Sequence, residues 1–278
     1  MDASLPPSFG EVPSSVDISV PNPARIYDYL LGGNHNFAID RETADRAMAA
    51  GQVNALPARA NRSFLRRAVR FMVDQGVTQF LDLGSGIPTV GNVHEIAQHA
   101  NPAARVVYVD NEAVAVAHAR RLLADNPNAT MVAADLRDTE YVLAHPEVQQ
   151  LLDFTRPIGV LMVAVFHFIP DSADPAAIIG SYLAALKSGG YLALSHYTQD
   201  GYTPEKRELA MAGLAAYSST QTQVVPRTRA DLTALLGGLE MVPPGCVYAP
   251  LWHPDDEPIT VTDPSEAEIY AVVARIPG

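Results

Sequence analysis

Between residues 79 and 197 short apolar runs alternate with longer amphipathic stretches, and that rhythm leaves few folds open. The runs are QFLDL (79–83), RVVYVD (105–110), TMVAAD (130–135), IGVLMVAVFHF (158–168) and YLALSHY (191–197). Helical spacing separates them over 90–100, 113–123, 138–152 and 175–187, with Asn126-Pro127 and Gly189-Gly190 as breaks. Strands apolar on both faces need helices on both sides, so the pattern predicts a doubly wound, mostly parallel α/β sheet with right-handed crossovers.

The flanks read differently. Residues 1–23 hold five prolines and no periodicity, and an extended lead-in is expected. Residues 24–56, around LLGGNHNF, predict short helices with a turn at Gly32-Gly33, a cap or lid on one domain spanning 24–278. The 57–75 stretch places Phe64, Leu65, Ala68, Val69 and Met72 on one helical face, with arginines opposite. After 197, helices near 204–216 and 228–236 precede two strands, 239–249 and 268–276, read as an antiparallel hairpin on one edge.

The chemistry collects at the ends of the first three strands. Gly84 and Gly86 in LDLGSGIPT allow a tight turn that brings backbone close to a ligand. Asp110, with Asn111 beside it, ends the second strand where a carboxylate can accept both ribose hydroxyls, although Asp110 also suits the N-cap of the next helix. Asp135 and Leu136 follow the third strand, placed for an adenine amino group and ring. Pro88 occupies the place of a third glycine, which fits a helix start but disfavours a dinucleotide pyrophosphate.

In their order DLGSG, YVD, AADL, VFHFIPD and SGGYLALS, these segments resemble class I S-adenosylmethionine-dependent methyltransferases. PARIYDYLLGGNHNFAIDR, LDLGSGIPTVGNVHEIAQ and PRTRADLTALLGGLE resemble, more narrowly, a bacterial family of such enzymes with no assigned acceptor. The resemblance runs from about Asn22 to Pro277. It implies a Rossmann-like seven-stranded sheet of order 3-2-1-4-5-7-6, S-adenosyl-L-methionine as cofactor, and Asp82 near its methionine ammonium.

Within that frame, the 24–56 segment is expected to close over the cofactor. Arg25 or Arg62 would pair its carboxylate, Tyr27 would lie near the sulfonium, and Gly32 and Gly33 would shape the turn. Phe166, His167 and His196 follow the fourth strand or end the fifth, beside the methyl group. His167 is the first candidate for a general base and His196 the second. The acceptor is expected to be a small molecule methylated on O or N. A nicotinamide-dependent oxidoreductase and a non-catalytic cofactor sensor stand as alternatives.

Composition excludes other classes. A formal charge of −12 is wrong for a nucleic-acid backbone. The single Cys246 permits no intrachain disulfide, and His94 and His99 lie five apart, off the spacing that aligns two metal ligands on a helix. The expectation is no metal, no membrane span, no secretory signal and a cytoplasmic location; oligomeric state is not legible.

Overall fold

A computed structural model describes residues 16–278 except 89–90, 187–188, 218–222, 257–258 and 260, with no side chains for 214–217. Residues 1–15 of the expected lead-in, Thr89 of the glycine-turn motif and Lys187 of the 175–187 helix lie outside these described residues.

All five apolar runs form strands: β1 (Gln79–Leu83), β2 (Arg105–Asp110), β3 (Ala129–Ala133), β4 (Ile158–Val163) and β5 (Gly190–Tyr197). They pair in parallel in the order β3-β2-β1-β4-β5. Alternation divides their side chains between two cores. Leu81, Leu83, Val107, Val109, Val160 and Leu194 pack against α6 (Thr139–Ala144), α7 (Pro146–Leu151), α8 (Pro175–Ala185) and α10 (Arg229–Leu235). Phe80, Val106, Leu161 and Ala193 pack against α3 (Leu56–Asp74), α4 (Val93–Ala100) and α5 (Ala113–Leu122).

Local chemistry moved several boundaries. The fourth run leaves the sheet at Val163, because Ala164 takes φ 55 and 166–168 wind into a 3-10 turn. The helix expected over 138–152 is two helices: Pro146 has no N–H and holds His145 extended at φ −60 and ψ 133. The helix expected from 90 starts at Val93, where Asn92 and Glu95 form a capping box.

The last third corrects the strand count. The run 239–249 is broken by Pro243-Pro244-Gly245 into β6 (Glu240–Met241) and β7 (Val247–Tyr248), since neither proline can donate to a ladder. Both pair antiparallel with β8 (Ile269–Ile276), itself antiparallel to β5. The sheet therefore has eight strands, ordered β3-β2-β1-β4-β5-β8-β6 with β7 also on β8. With β6 and β7 taken as one interrupted strand, the order is 3-2-1-4-5-7-6.

Upstream, α1 (Pro23–Leu30) and α2 (Ala38–Ala49) pack on each other and on the start of α5. Phe37 joins Ile87, Val114 and Ala115 in a small core there. Arg25, buried, pairs with Asp40 at 3.1 Å and reaches Glu112 at 3.8 Å. No described helix is long and apolar enough to cross a membrane.

Candidate active site

The carboxyl edge of β1 is a turn that only glycine accommodates. Gly84 takes φ 73, and a Cβ there would lie 2.2 Å from Val165 Cγ2, so the exit of β4 packs directly on the turn. Gly86 takes φ 65 with open space where its side chain would be. The N–H groups of Gly84 and Ser85 donate to Val109 O at 2.8 and 3.2 Å, and Gly86 N donates to Asp110 Oδ2 at 2.7 Å. Asp110 thus fixes the turn to the end of β2. Its other oxygen accepts from Glu112 N at 2.8 Å, and burial raises its pKa. The N-cap of α5 is Glu112, whose carboxylate accepts from Ala115 N at 2.7 Å, so Asp110 is spared that role.

A crevice beside the turn is lined by Arg62, Asp82, Ser85, Gly86, Pro88 and His94, among others. Asp82 is buried against Arg62 and Asp110; burial is the main cause that pushes its pKa up to about 7, Arg62 opposing and Asp110 adding. Ser85 Oγ is buried with no hydrogen-bond partner among the described residues. An orphaned buried hydroxyl is costly and marks a place where a polar ligand atom is wanted. Asn111 hydrogen-bonds Asp135, and Asp110 and Asp135 feel each other electrostatically. Asp82, Gly84, Gly86, Asp110, Asn111 and Asp135 therefore meet at one edge, with Arg62 facing them from α3.

Other expected residues have different neighbours. Asp135 is gripped by Arg137, which lowers its pKa, so an adenine amino group would compete with a guanidinium. Leu136 and Phe166 are core residues of the α6–α8 face, with Phe166 fully buried. Arg25 is held by Asp40, Val20 O and Glu112. Gly32 takes φ 80, and a Cβ on Gly33 would strike the Asp28 carboxyl at 2.0 Å, so this glycine pair closes over Asp28. Asp28 Oδ2 accepts from His35 N and Asn36 Nδ2, both at 2.8 Å.

His196 also needs correction. Its Nε2 lies 2.9 Å from Arg227 Nη1, which has protons to give, and its Nδ1 lies 2.7 Å from Tyr197 O. The ring is neutral, fully buried and engaged at both nitrogens, its pKa pushed down to about 4 by burial. It positions Arg227, which also ties Phe166 O, Ile169 O and Asp171 together. The Nδ1 of His167 accepts from Tyr197 N at 3.4 Å, and burial holds its pKa well below the ordinary value.

One hub escaped the sequence reading. Asn61 on α3 accepts from Ser195 Oγ and donates to Tyr27 Oη at 2.9 Å, while Tyr27 donates to Ala58 O at 3.1 Å. Ser195 in turn accepts from Ala164 N at 2.9 Å. The cap, α3, β5 and the left-handed exit of β4 are joined through one amide. An asparagine inside an arginine-rich helix carries no periodic signal that would have singled it out.

Residues 10–277 match the S-adenosyl methyltransferase family. A crystal structure described as a "putative methyltransferase" from Thermobifida fusca YX is 39% identical, with 96% of this chain and 98% of that one covered and a TM-score of 0.86. A DUF574 family protein from Streptomyces avermitilis MA-4680 is 36% identical, with 94% and 100% covered and a TM-score of 0.87. The N-methyltransferase NodS of Bradyrhizobium japonicum WM9, in complex with S-adenosyl-L-homocysteine, shares the fold at 13% identity and a TM-score of 0.50, over 91% of this chain and 100% of that one. No curated protein matches. With the glycine turn, its acidic partners and an unsatisfied hydroxyl at the strand ends, the chain belongs to the S-adenosyl methyltransferase family and is a methyltransferase that uses S-adenosyl-L-methionine.

Proposed function

We propose that the chain methylates an oxygen or nitrogen of a small molecule in the cytoplasm, at a site between the glycine turn, the β4 and β5 exits and the 24–56 cap. The observation that carries the placement is the Asp110–Gly86 tie at 2.7 Å beside the unpartnered Ser85 hydroxyl. The lone pairs left on Asp110 suit ribose hydroxyls, with Gly84 and Gly86 giving close backbone approach and Asn111 and Asp135 bordering the base. Arg62 faces the cofactor carboxylate, and Asp82 its ammonium. Tyr27, anchored by Asn61, lies on the sulfonium side.

Bound S-adenosylmethionine supplies a methyl group already activated by its positive sulfur. The protein's task is alignment, exclusion of water and, for an acidic acceptor, removal of a proton. His167, neutral at working pH, is the base available at the β4 exit.

Calorimetric titration with S-adenosylmethionine, S-adenosylhomocysteine and NAD tests the reading. The first two bind and NAD does not, and Asp110→Ala weakens cofactor binding about 10- to 100-fold, the range for a hydrogen bond to a charged group. Cofactor affinity unchanged by Asp110→Ala would remove the proposed site. No observation favours the nicotinamide or sensor readings.

A further inference from the structure

A second cavity, of about 320 Å³, lies between α9 (Pro204–Tyr217), the loop joining α2 to α3, and the start of β8. The elements approach closely: a Cβ on Gly213 would lie 2.8 Å from Gln52 Cβ. Leu56, Leu209 and Ala210 give it an apolar wall, and Tyr202, Lys206 and Glu268 a polar one.

Lys206 Nζ stands 2.9 Å from Glu268 Oε1 and 4.2 Å from the centroid of the Tyr202 ring. A carboxylate and an aromatic face converging on one ammonium are the chemistry that recognises an organic cation. The two sides are unequally built. The Glu268 side chain is 12% exposed, on a left-handed residue (φ 54) whose carbonyl accepts from Thr198 N at 2.9 Å. The Lys206 side chain is 44% exposed and comes in from the first turns of α9. Such a half-exposed ion pair contributes little and yields readily to a competitor.

The seat also connects to the transfer site. Tyr202 Oη lies 3.4 Å from Tyr197 Oη, and Tyr197, at the end of β5, donates its N–H to His167. One tyrosine therefore separates the cation seat from the β4 and β5 exits.

We infer that Glu268 and Tyr202 form the seat of an amine acceptor, with Lys206 as a tethered stand-in that the acceptor displaces. The inference rests on the methyltransferase reading and narrows its acceptor to a small organic amine with an apolar body.

The test uses the full chain at neutral pH, titrated by calorimetry with phenethylamine and with its uncharged counterpart 2-phenylethanol. The amine should bind roughly tenfold tighter than the alcohol. Lys206→Met should strengthen amine binding by a similar factor, and Glu268→Gln should erase the preference. Equal binding of amine and alcohol, or no gain in Lys206→Met, would overturn the seat. S-adenosylhomocysteine is titrated in parallel into all three proteins. If it binds and the amine shows no preference, the seat fails alone; if it does not bind the native chain, the cofactor reading fails whatever the amine does.

Discussion

At Asp82 burial and charge act against each other in a way that pH can read. Desolvation raises its pKa to about 7 although Arg62 opposes the shift, so the folded protein keeps a proton that the unfolded chain releases near pH 4. Between those values the folded state holds more protons, and stability must fall as pH rises, levelling off above about 7. Asp82→Asn removes that dependence: its Tm should approach the native value near pH 4 and exceed it by a growing margin up to about pH 7. A cofactor ammonium arriving beside Asp82 should draw the proton off, so S-adenosylmethionine should bind more tightly at pH 8 than at pH 6, with proton release visible in buffers of different ionisation enthalpy. Gly84→Ala is a harsher change, forcing a Cβ onto Val165 in left-handed backbone. It should cost roughly 2–4 kcal/mol by chemical denaturation, as overpacking and backbone strain combine. Asp82, Gly84, Gly86 and Asp110 were legible as a group because the turn and the ends of β1 and β2 announce themselves locally. The partners of Arg25, Leu136 and Phe166 were not legible, because they come from elements far along the chain.

Among the elements, α3 carries more than its apolar stripe suggests. Its arginines were expected on the solvated face, yet Arg67 is 5% exposed and donates to Trp252 O at 2.8 Å and Ala249 O at 2.7 Å. Arg66 pairs with Asp255 at 2.9 Å. The helix therefore clamps the loop that follows β7. Arg67→Met removes the guanidinium donor from Trp252 O and leaves Ala249 O only its 3.3 Å bond from Trp252 N, and should lower stability by about 1–3 kcal/mol in urea titration, while Arg59→Met, at an exposed position, should change little. Periodicity identified the helix but not this use of it, since the partners lie far along the chain. The same limit explains the interrupted strand at 239–249: its apolar pattern is real, but two consecutive prolines remove the donors that a continuous ladder needs.

For the molecule as a whole, the cap is attached through individual side-chain contacts. Phe37 in its small core and Arg25 between Asp40 and Glu112 hold α1 and α2 against α5, and Asn61 holds Tyr27. If the cap closes over the cofactor, Phe37→Ala should weaken S-adenosylmethionine binding by about tenfold while the sheet still melts cooperatively, because a local opening of about 1.4 kcal/mol is enough to produce that change. Calorimetry alongside far-UV melting distinguishes this from global damage. The alternation of strands and helices revealed the doubly wound sheet from sequence alone; the cap's attachments were hidden because they are single contacts rather than repeating patterns.

β8 enters the sheet between β5 and the short pair β6 and β7, yet it follows all of them in the sequence. During synthesis β5 therefore presents an open row of amides and carbonyls until the segment ending at Ile276 has left the ribosome. Assembly must close that seam late and over a long loop, which is slow. A nascent chain stalled before β8 would expose an apolar edge inviting another copy to pair with it, and a chaperone dependence confined to that interval is the consequence.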